Sequence, residues 1–163
     1  MKSIQSVPAK IFNRGELEAH MKRWRLKNNR VVFTNGVFDI IHEGHISSLS
    51  EAASYGDVLI VAVNSDASVK RLKGAARPVN GEQARALILA SMVVTDAVVI
   101  FEEDTPLELI KALKPDVLVK GGDYTIEQIA GAKEVLENGG EVIRGTIVPG
   151  ISTTAIIEKL KIK

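Results

Sequence analysis

Six consecutive apolar residues, Val58-Leu59-Ile60-Val61-Ala62-Val63, lie between Gly56-Asp57 and Asn64-Ser65-Asp66. The run is far too short to cross a bilayer. It has no polar alternate position, so it reads as a strand buried on both faces, which requires parallel neighbours and helices above and below. The rest of the chain alternates accordingly. Val31-Val32-Phe33-Thr34, Ala97-Val98-Val99-Ile100, Val117-Leu118-Val119 and Glu141-Val142-Ile143 are further strand-like stretches. Helical patterns run from Ile46 to Tyr55, from about Gly81 to Met92, from Thr105-Pro106 to Lys114-Pro115, from Ile126 to Leu136, and from Thr154 to Leu160. Pro106 suits a first helical position, and Thr105 with Glu108 suits a capping pair. Asn138-Gly139-Gly140 is a helix stop. Residues 12–28 read as an extra amphipathic helix with Leu17, Met21, Trp24 and Leu26 partly on one face, and His20 as a surface residue. The expected fold is α/β: a Rossmann-like, doubly wound, five-stranded parallel sheet with helices on both faces. One domain is expected over 1–163, with a helical extension over 1–30 and a core over 31–160.

Composition removes several function classes. The 21 basic and 20 acidic residues leave a net charge of +1, without the basic excess of a nucleic-acid binder. Aromatic residues are only 4% of the chain, too few for stacking single-stranded bases. No cysteine is present, which excludes disulfides, thiolate nucleophiles and Cys-ligated zinc and fits the cytoplasm. The first residues lack a secretory apolar region, and no membrane association is expected.

Doubly wound sheets bind ligands beyond the carboxyl ends of their strands, where strand order reverses. The segments after the strands therefore carry the candidate site. After the first comes Thr34-Asn35-Gly36-Val37-Phe38-Asp39-Ile40-Ile41-His42-Glu43-Gly44-His45. Gly36 allows a phosphate or ribose close to the backbone. His42 and His45 share a face at a helix start, where free N–H groups and the helix dipole favour anions. Spacing alone leaves a structural role for the pair open. Asn64-Ser65-Asp66 and then the basic residues Lys70, Arg71, Lys73 and Arg77 follow the second strand; a solvated loop is the alternative. Lys120-Gly121-Gly122-Asp123-Tyr124 follows the fourth, either as a base-reading turn or as an ordinary one. Gly150-Ile151-Ser152-Thr153-Thr154 follows the fifth, with hydroxyls that suit phosphate oxygens or a plain N-cap.

His42-Glu43-Gly44-His45 resembles the His-x-Gly-His motif of the cytidylyltransferase-like nucleotidyltransferases, and Ile151-Ser152-Thr153-Thr154 resembles their second motif. The resemblance runs from about Val31 to Leu160. Thr34 to Ile40, Val63 to Lys70, Arg77-Pro78-Val79-Asn80 and Val119 to Tyr124 are similar to the bacterial D-glycero-D-manno-heptose 1-phosphate adenylyltransferases, which make ADP-heptose for lipopolysaccharide. Gly81-Glu82-Gln83-Ala84-Arg85 departs slightly from that pattern, with Arg85 at the basic position. The domain is often fused behind a sugar kinase, and the resemblance here implies the stand-alone form.

The reaction implied is ATP plus heptose 1-phosphate giving ADP-heptose and pyrophosphate, with ATP and the sugar phosphate as partners, Mg²⁺ as cofactor and a homodimer as assembly. The attacking phosphate has a second pKa of about 6, so no general base is needed. Catalysis reduces to positioning and charge stabilisation. By resemblance, His42, His45 and Lys73 are catalytic. Thr34, Asn35, Gly36, Phe38, Lys120, Gly121, Gly122, Asp123, Ser152, Thr153 and Thr154 join the two histidines around the nucleotide. Asn64, Asp66, Lys70, Arg77 and Arg85 face the acceptor. Asp39 binds Mg²⁺ or caps its turn. The rival readings are a cytidylyltransferase acting on glycerol 3-phosphate or phosphoethanolamine, and a non-catalytic nucleotide sensor on the same fold.

Overall fold

The structure, a computed structural model, describes residues 5–122, 124–146 and 148–161. The sheet strands are β1 (Ile11–Phe12), β2 (Val31–Gly36), β3 (Val58–Asn64), β4 (Ala97–Phe101), β5 (Val117–Gly121) and β6 (Glu141–Gly145). They form one six-stranded sheet in the order β1-β4-β3-β2-β5-β6, with every pairing parallel. The helices are α1 (Arg14–Leu26), α2 (Glu43–Ala53), α3 (Asp66–Lys73), α4 (Glu82–Ala90), α5 (Leu107–Leu113), α6 (Ala132–Glu137) and α7 (Thr153–Lys161).

The apolar run in β3 explains the layering. Val58, Ile60 and Ala62 point to one face and join Val31, Phe33, Val99 and Leu118 in a core closed by Leu17 and Met21 of α1, Ile110 and Leu113 of α5, and Val135 of α6. Leu59, Val61 and Val63 point to the other face, against Val32, Val98 and Val119, under Leu49 and Ala52 of α2 and Ala86 and Leu89 of α4. The period-2 geometry of a strand thus feeds two cores from one uninterrupted run.

The sheet has six strands, not the five expected. The additional one, β1, is only two residues long and runs parallel to β4 at the sheet edge. A two-residue strand carries no periodicity, so Phe12 reads from sequence as the start of the helix that follows. That helix begins after Asn13, whose side chain accepts from Glu16 N while the Glu16 carboxylate accepts from Asn13 N. The segment is not an appendage, since Leu17 and Met21 are fully buried core residues. Leu26 does not share their face and is 85% exposed. His20 lies half-buried between the rings of Phe12 and Trp24 at 4.6 and 5.6 Å, not free on the surface.

Three helical boundaries also differ. Residues 66–73 form α3, capped by Ser65, whose hydroxyl accepts from Ser68 N, where a loop was the alternative reading. Pro106, not Thr105, occupies the cap position of α5, without a side-chain hydrogen bond. The Ile126–Leu136 pattern divides into a 3₁₀ turn at Ile126–Gln128 and α6. Gly131 separates the two at φ +88°, with the Ile110 side chain occupying the space a Cβ would need.

Candidate active site

Strand order reverses around β2, which has β3 on one side and β5 on the other. Beyond the carboxyl ends of β2 and β5 opens a cleft of about 320 Å³. Thr34, Asn35 and Gly36 of β2 and Phe38 of the turn after it line it, with His42, Gly44, His45 and Ser48 from the cap and first turns of α2, Gly121 at the end of β5 and Gly122 after it, and Val148 and Ile151 from the segment before α7. Three of the four strand-end segments selected from sequence therefore meet in one place.

His42 is the N-cap of α2 in an extended conformation and makes no side-chain cap bond. Its ring stacks on His45 at a centroid distance of 3.8 Å and 25°. Phe38, held at φ +50°, places its ring edge-on to His45 at 5.3 Å. Gly44 makes the stack possible. A Cβ there would lie 3.1 Å from the His42 ring and 3.3 Å from Ile151. Burial, then the neighbouring His42, pushes His45 from its ordinary 6.5 down to about 4. Burial also lowers His42, against the opposing pull of Glu43. Both imidazoles are thus neutral at pH 7. Their buried Nδ1 atoms have no hydrogen-bond partner among the described residues.

The depressed His45 has a consequence for stability. Unfolded, the imidazole titrates near 6.5; folded, it titrates near 4. Between those values the unfolded chain binds more protons, so stability falls as pH drops from about 6.5 towards 4. His45→Ala should flatten that part of the pH profile. Urea midpoints at pH 7.5, 6, 5 and 4 check this, and parallel profiles for the two proteins would refute it.

The lysines converge from the other side. Lys120 Nζ donates to Asn35 O and Asn35 Oδ1, both at 3.2 Å. Its pKa is lowered by burial and then by the charge of Lys73, which α3 brings near it. Lys70 and Lys73 are exposed in the last turn of α3. Beside Lys120 lies a second hollow of about 150 Å³, shared with Asn35 and lined also by Asp104, Thr105, Tyr124 and Gln128. At the third approach, Ser152 Oγ accepts from Ala155 N at 3.1 Å and caps α7. Thr153 Oγ1 donates to Ile40 O at 3.3 Å, and Thr154 is exposed. Asp123 lies outside the described residues.

Five residues assigned from sequence to the acceptor or the metal make bonds within the protein. Arg85 is fully buried and donates to Asn80 O, Val37 O and Asp66 Oδ1 at 2.9, 2.6 and 2.7 Å, while the Asp66 side chain stays 35% exposed. Asn64 is buried with its amide donating to Ser68 Oγ. Arg77 Nε is spent on Asp39 at 2.6 Å. Asp39 is buried; Oδ1 accepts from Val79 N and Asn80 N, and Oδ2 from Arg77 and Val79 N. Burial raises its pKa, but these bonds outweigh that and hold the carboxyl below the usual range. With both oxygens accepting these bonds, Asp39 ties its turn to the 77–80 segment, as the capping alternative for this residue expects. Among the described residues no group of three or more His, Cys, Asp or Glu side chains could hold a metal ion. Conversely, Ser48 and Val148 line the cleft without having been singled out in the sequence, and Ile151 enters it from the motif before α7. Ser48 continues the three-residue spacing of His42 and His45, so the helix face itself held that signal. Val148 is an apolar residue beside Pro149-Gly150 and carries none.

The family described as cytidylyltransferase-like matches residues 33–159. The chain is 54% identical over 160 residues to the bifunctional protein HldE of Koribacter versatilis, covering 96% of this chain and 33% of that one. It is 56% identical over 154 residues to the bifunctional protein HldE of Geotalea uraniireducens, covering 94% and 31%. The chain thus spans about a third of the length of the curated relatives it matches. Among solved structures, a lipopolysaccharide core biosynthesis protein from Thermoplasma volcanium superposes with a TM-score of 0.59 at 29% identity, over 74% of this chain and 97% of that one. Pantoate-beta-alanine ligase from Francisella tularensis superposes with a TM-score of 0.61 at 18% identity, over 93% and 77%, a likeness of fold alone. No helix among the described residues is long and apolar enough to cross a membrane.

Proposed function

The chain belongs to the cytidylyltransferase-like family, and on that premise we propose that it transfers AMP from ATP to D-glycero-D-manno-heptose 1-phosphate, releasing pyrophosphate. The observation that carries the reading is the neutral, stacked His42–His45 pair at the start of α2, in the cleft where strand order reverses. The heptose phosphate as acceptor is supported by the loop resemblances, by the HldE relatives and by the lipopolysaccharide core protein of similar fold. The cytoplasm and a homodimer belong to the same proposal.

The triphosphate lies over the amino ends of α2 and α7, whose free N–H groups and dipoles favour negative charge. A phosphate oxygen of the acceptor attacks the α-phosphorus, the P–O bond to the β-phosphate breaks, and the electron pair leaves with pyrophosphate. His42 and His45 donate N–H bonds to oxygens that gain charge in that step. Being neutral, they accept the polyanion without a standing charge clash between the rings. Mg²⁺ would supply screening of the ATP phosphates when bound with them, while Asp39, held by Arg77, Val79 and Asn80, fixes the turn beside the cleft. Lys73 and Lys120 draw the acceptor phosphate to the side of β5 opposite the histidines. The hollow with Asp104, Thr105, Tyr124 and Gln128 offers donors, acceptors and one ring face to sugar hydroxyls.

The test is a matrix of ATP, CTP and GTP against α- and β-heptose 1-phosphates, glycerol 3-phosphate and phosphoethanolamine, read as pyrophosphate. Release is expected with ATP and a heptose 1-phosphate. Preference for CTP with glycerol 3-phosphate would reassign the substrate, and no release with any pair would indicate a nucleotide sensor. Within this reading, Lys73→Ala is expected to raise the KM for heptose phosphate about tenfold, the scale of one charge-assisted contact, while the KM for ATP changes little. Equal changes in both would place Lys73 on the nucleotide instead.

A further inference from the structure

Helix α2 lines the cleft with its first turns, through His42, His45 and Ser48. Further along, outside the cleft lining, the Glu51 carboxylate reaches the residue that follows β6. Glu51 Oε2 accepts from Thr146 N at 2.8 Å, and Oε1 accepts from Thr146 Oγ1 at 3.2 Å. Tyr55 OH, one turn on, donates to the same Oε1 at 3.2 Å and fixes the carboxylate from its own helix. Thr146 is the first residue after β6, where the segment leading to α7 leaves the sheet. That segment supplies Val148 and Ile151 to the cleft and ends at Ser152, the cap of α7. Its far end is tied by Thr153 Oγ1 to Ile40 O, in the turn that precedes α2. Among the described residues the wall thus has these two moorings, one on α2 and one just before it.

We propose that Glu51 is a positioning residue for nucleotide binding: from within α2 it fixes where the β6–α7 segment stands over the cleft. The inference rests on the reading that ATP occupies this cleft. An ordered carboxylate gripping a main-chain N–H and a hydroxyl is a strong restraint on a surface loop, because a charged acceptor makes each bond about twice as strong as a neutral one. Without it, of these two moorings the Thr153 bond remains, and the nucleotide must supply more of the order at the amino end of α7. That ordering cost falls on binding. It should weaken ground-state and transition-state complexes alike, so KM rises and kcat holds.

The experiment is calorimetric titration of ATP, without any acceptor, into the wild-type chain, Glu51→Ala and Glu51→Gln. Hydrogen exchange of residues 146–156 is measured in parallel. Glu51→Ala is expected to bind ATP about tenfold more weakly, the loss of a bond to a charged group. Exchange should quicken in 146–156 and stay unchanged in β2, β3 and β5. Glu51→Gln retains one acceptor oxygen and should recover part of the affinity. In turnover, Glu51→Ala should raise the KM for ATP by the same factor and alter kcat less than threefold. Unchanged ATP affinity in Glu51→Ala, or weakened affinity with exchange quickened throughout the sheet, would overturn the positioning role. Failure of the wild-type chain to bind ATP would instead overturn the reading of the cleft.

Discussion

His45→Ala lowers turnover roughly 100-fold or more, the scale of one lost donor to a developing oxyanion. Several features put the largest kinetic effect at this residue. The ring is held from both sides, by the stack with His42 and by the edge of Phe38. It is the more strongly depressed of the two imidazoles and so enters the reaction neutral, with one N–H to give. A fixed, desolvated donor strengthens as charge grows on the oxygen it faces, and it needs no reorganisation to do so. The loss should therefore appear in kcat more than in the KM for ATP. His45→Asn or His45→Gln, each with an N–H but without the ring stack, should recover only part of it. Steady-state kinetics of the folded variants decide the matter, and turnover within threefold of wild type in His45→Ala would remove His45 from the mechanism.

The largest expected stability effect is at Arg85. Arg85→Met keeps most of the buried volume but strips the partner from Val37 O, Asn80 O and the Asp66 carboxylate at once. Removing one partner from a buried ionic arrangement costs about 3–5 kcal/mol, because the groups left behind lose both partner and water. For a chain of this length the cost corresponds to a fall in Tm on the order of 10 °C. Asp66 is partly exposed, with a side chain at 35%, so water recovers some of its share and the lower end of the range applies. Thermal unfolding followed by circular dichroism tests this. A variant with wild-type Tm and a raised KM for the acceptor would return Arg85 to the substrate.

The contrast between these residues shows what a sequence can reveal. His42 and His45 were legible because strand, turn and helix are local patterns, and a buried parallel strand leaves one edge for ligands. Thr34 to Gly36 and Gly121-Gly122 were legible by the same logic. The internal partners of Arg85, Asp66, Asn64, Arg77 and Asp39 were not legible, for one shared reason. A charged or amide side chain near a strand end looks the same in sequence whether it faces a ligand or another side chain. Only the fold shows that α4 turns Arg85 inward onto Val37 O and that Asp39 meets the 77–80 segment. The helix α3 was hidden because Ser65 and Asp66 suit a loop as well as a cap. The strand β1 was hidden because two residues have no period.

That shortest strand has a bearing on where the chain can be cut. β1 lies parallel to β4 and occupies what would otherwise be a bare sheet border, and α1 covers the apolar residues behind it. A boundary drawn at residue 30, where the family match and the motifs would invite it, strips that border of its neighbour. It leaves the outer N–H and C=O groups beside Val98 and Val99 without partners and uncovers the apolar face that Leu17 and Met21 close over Val58 and Ile60. Unpaired, apolar borders of this kind recruit strands from other molecules. A polypeptide trimmed to its motifs should therefore fail by clumping before it fails by losing its histidines.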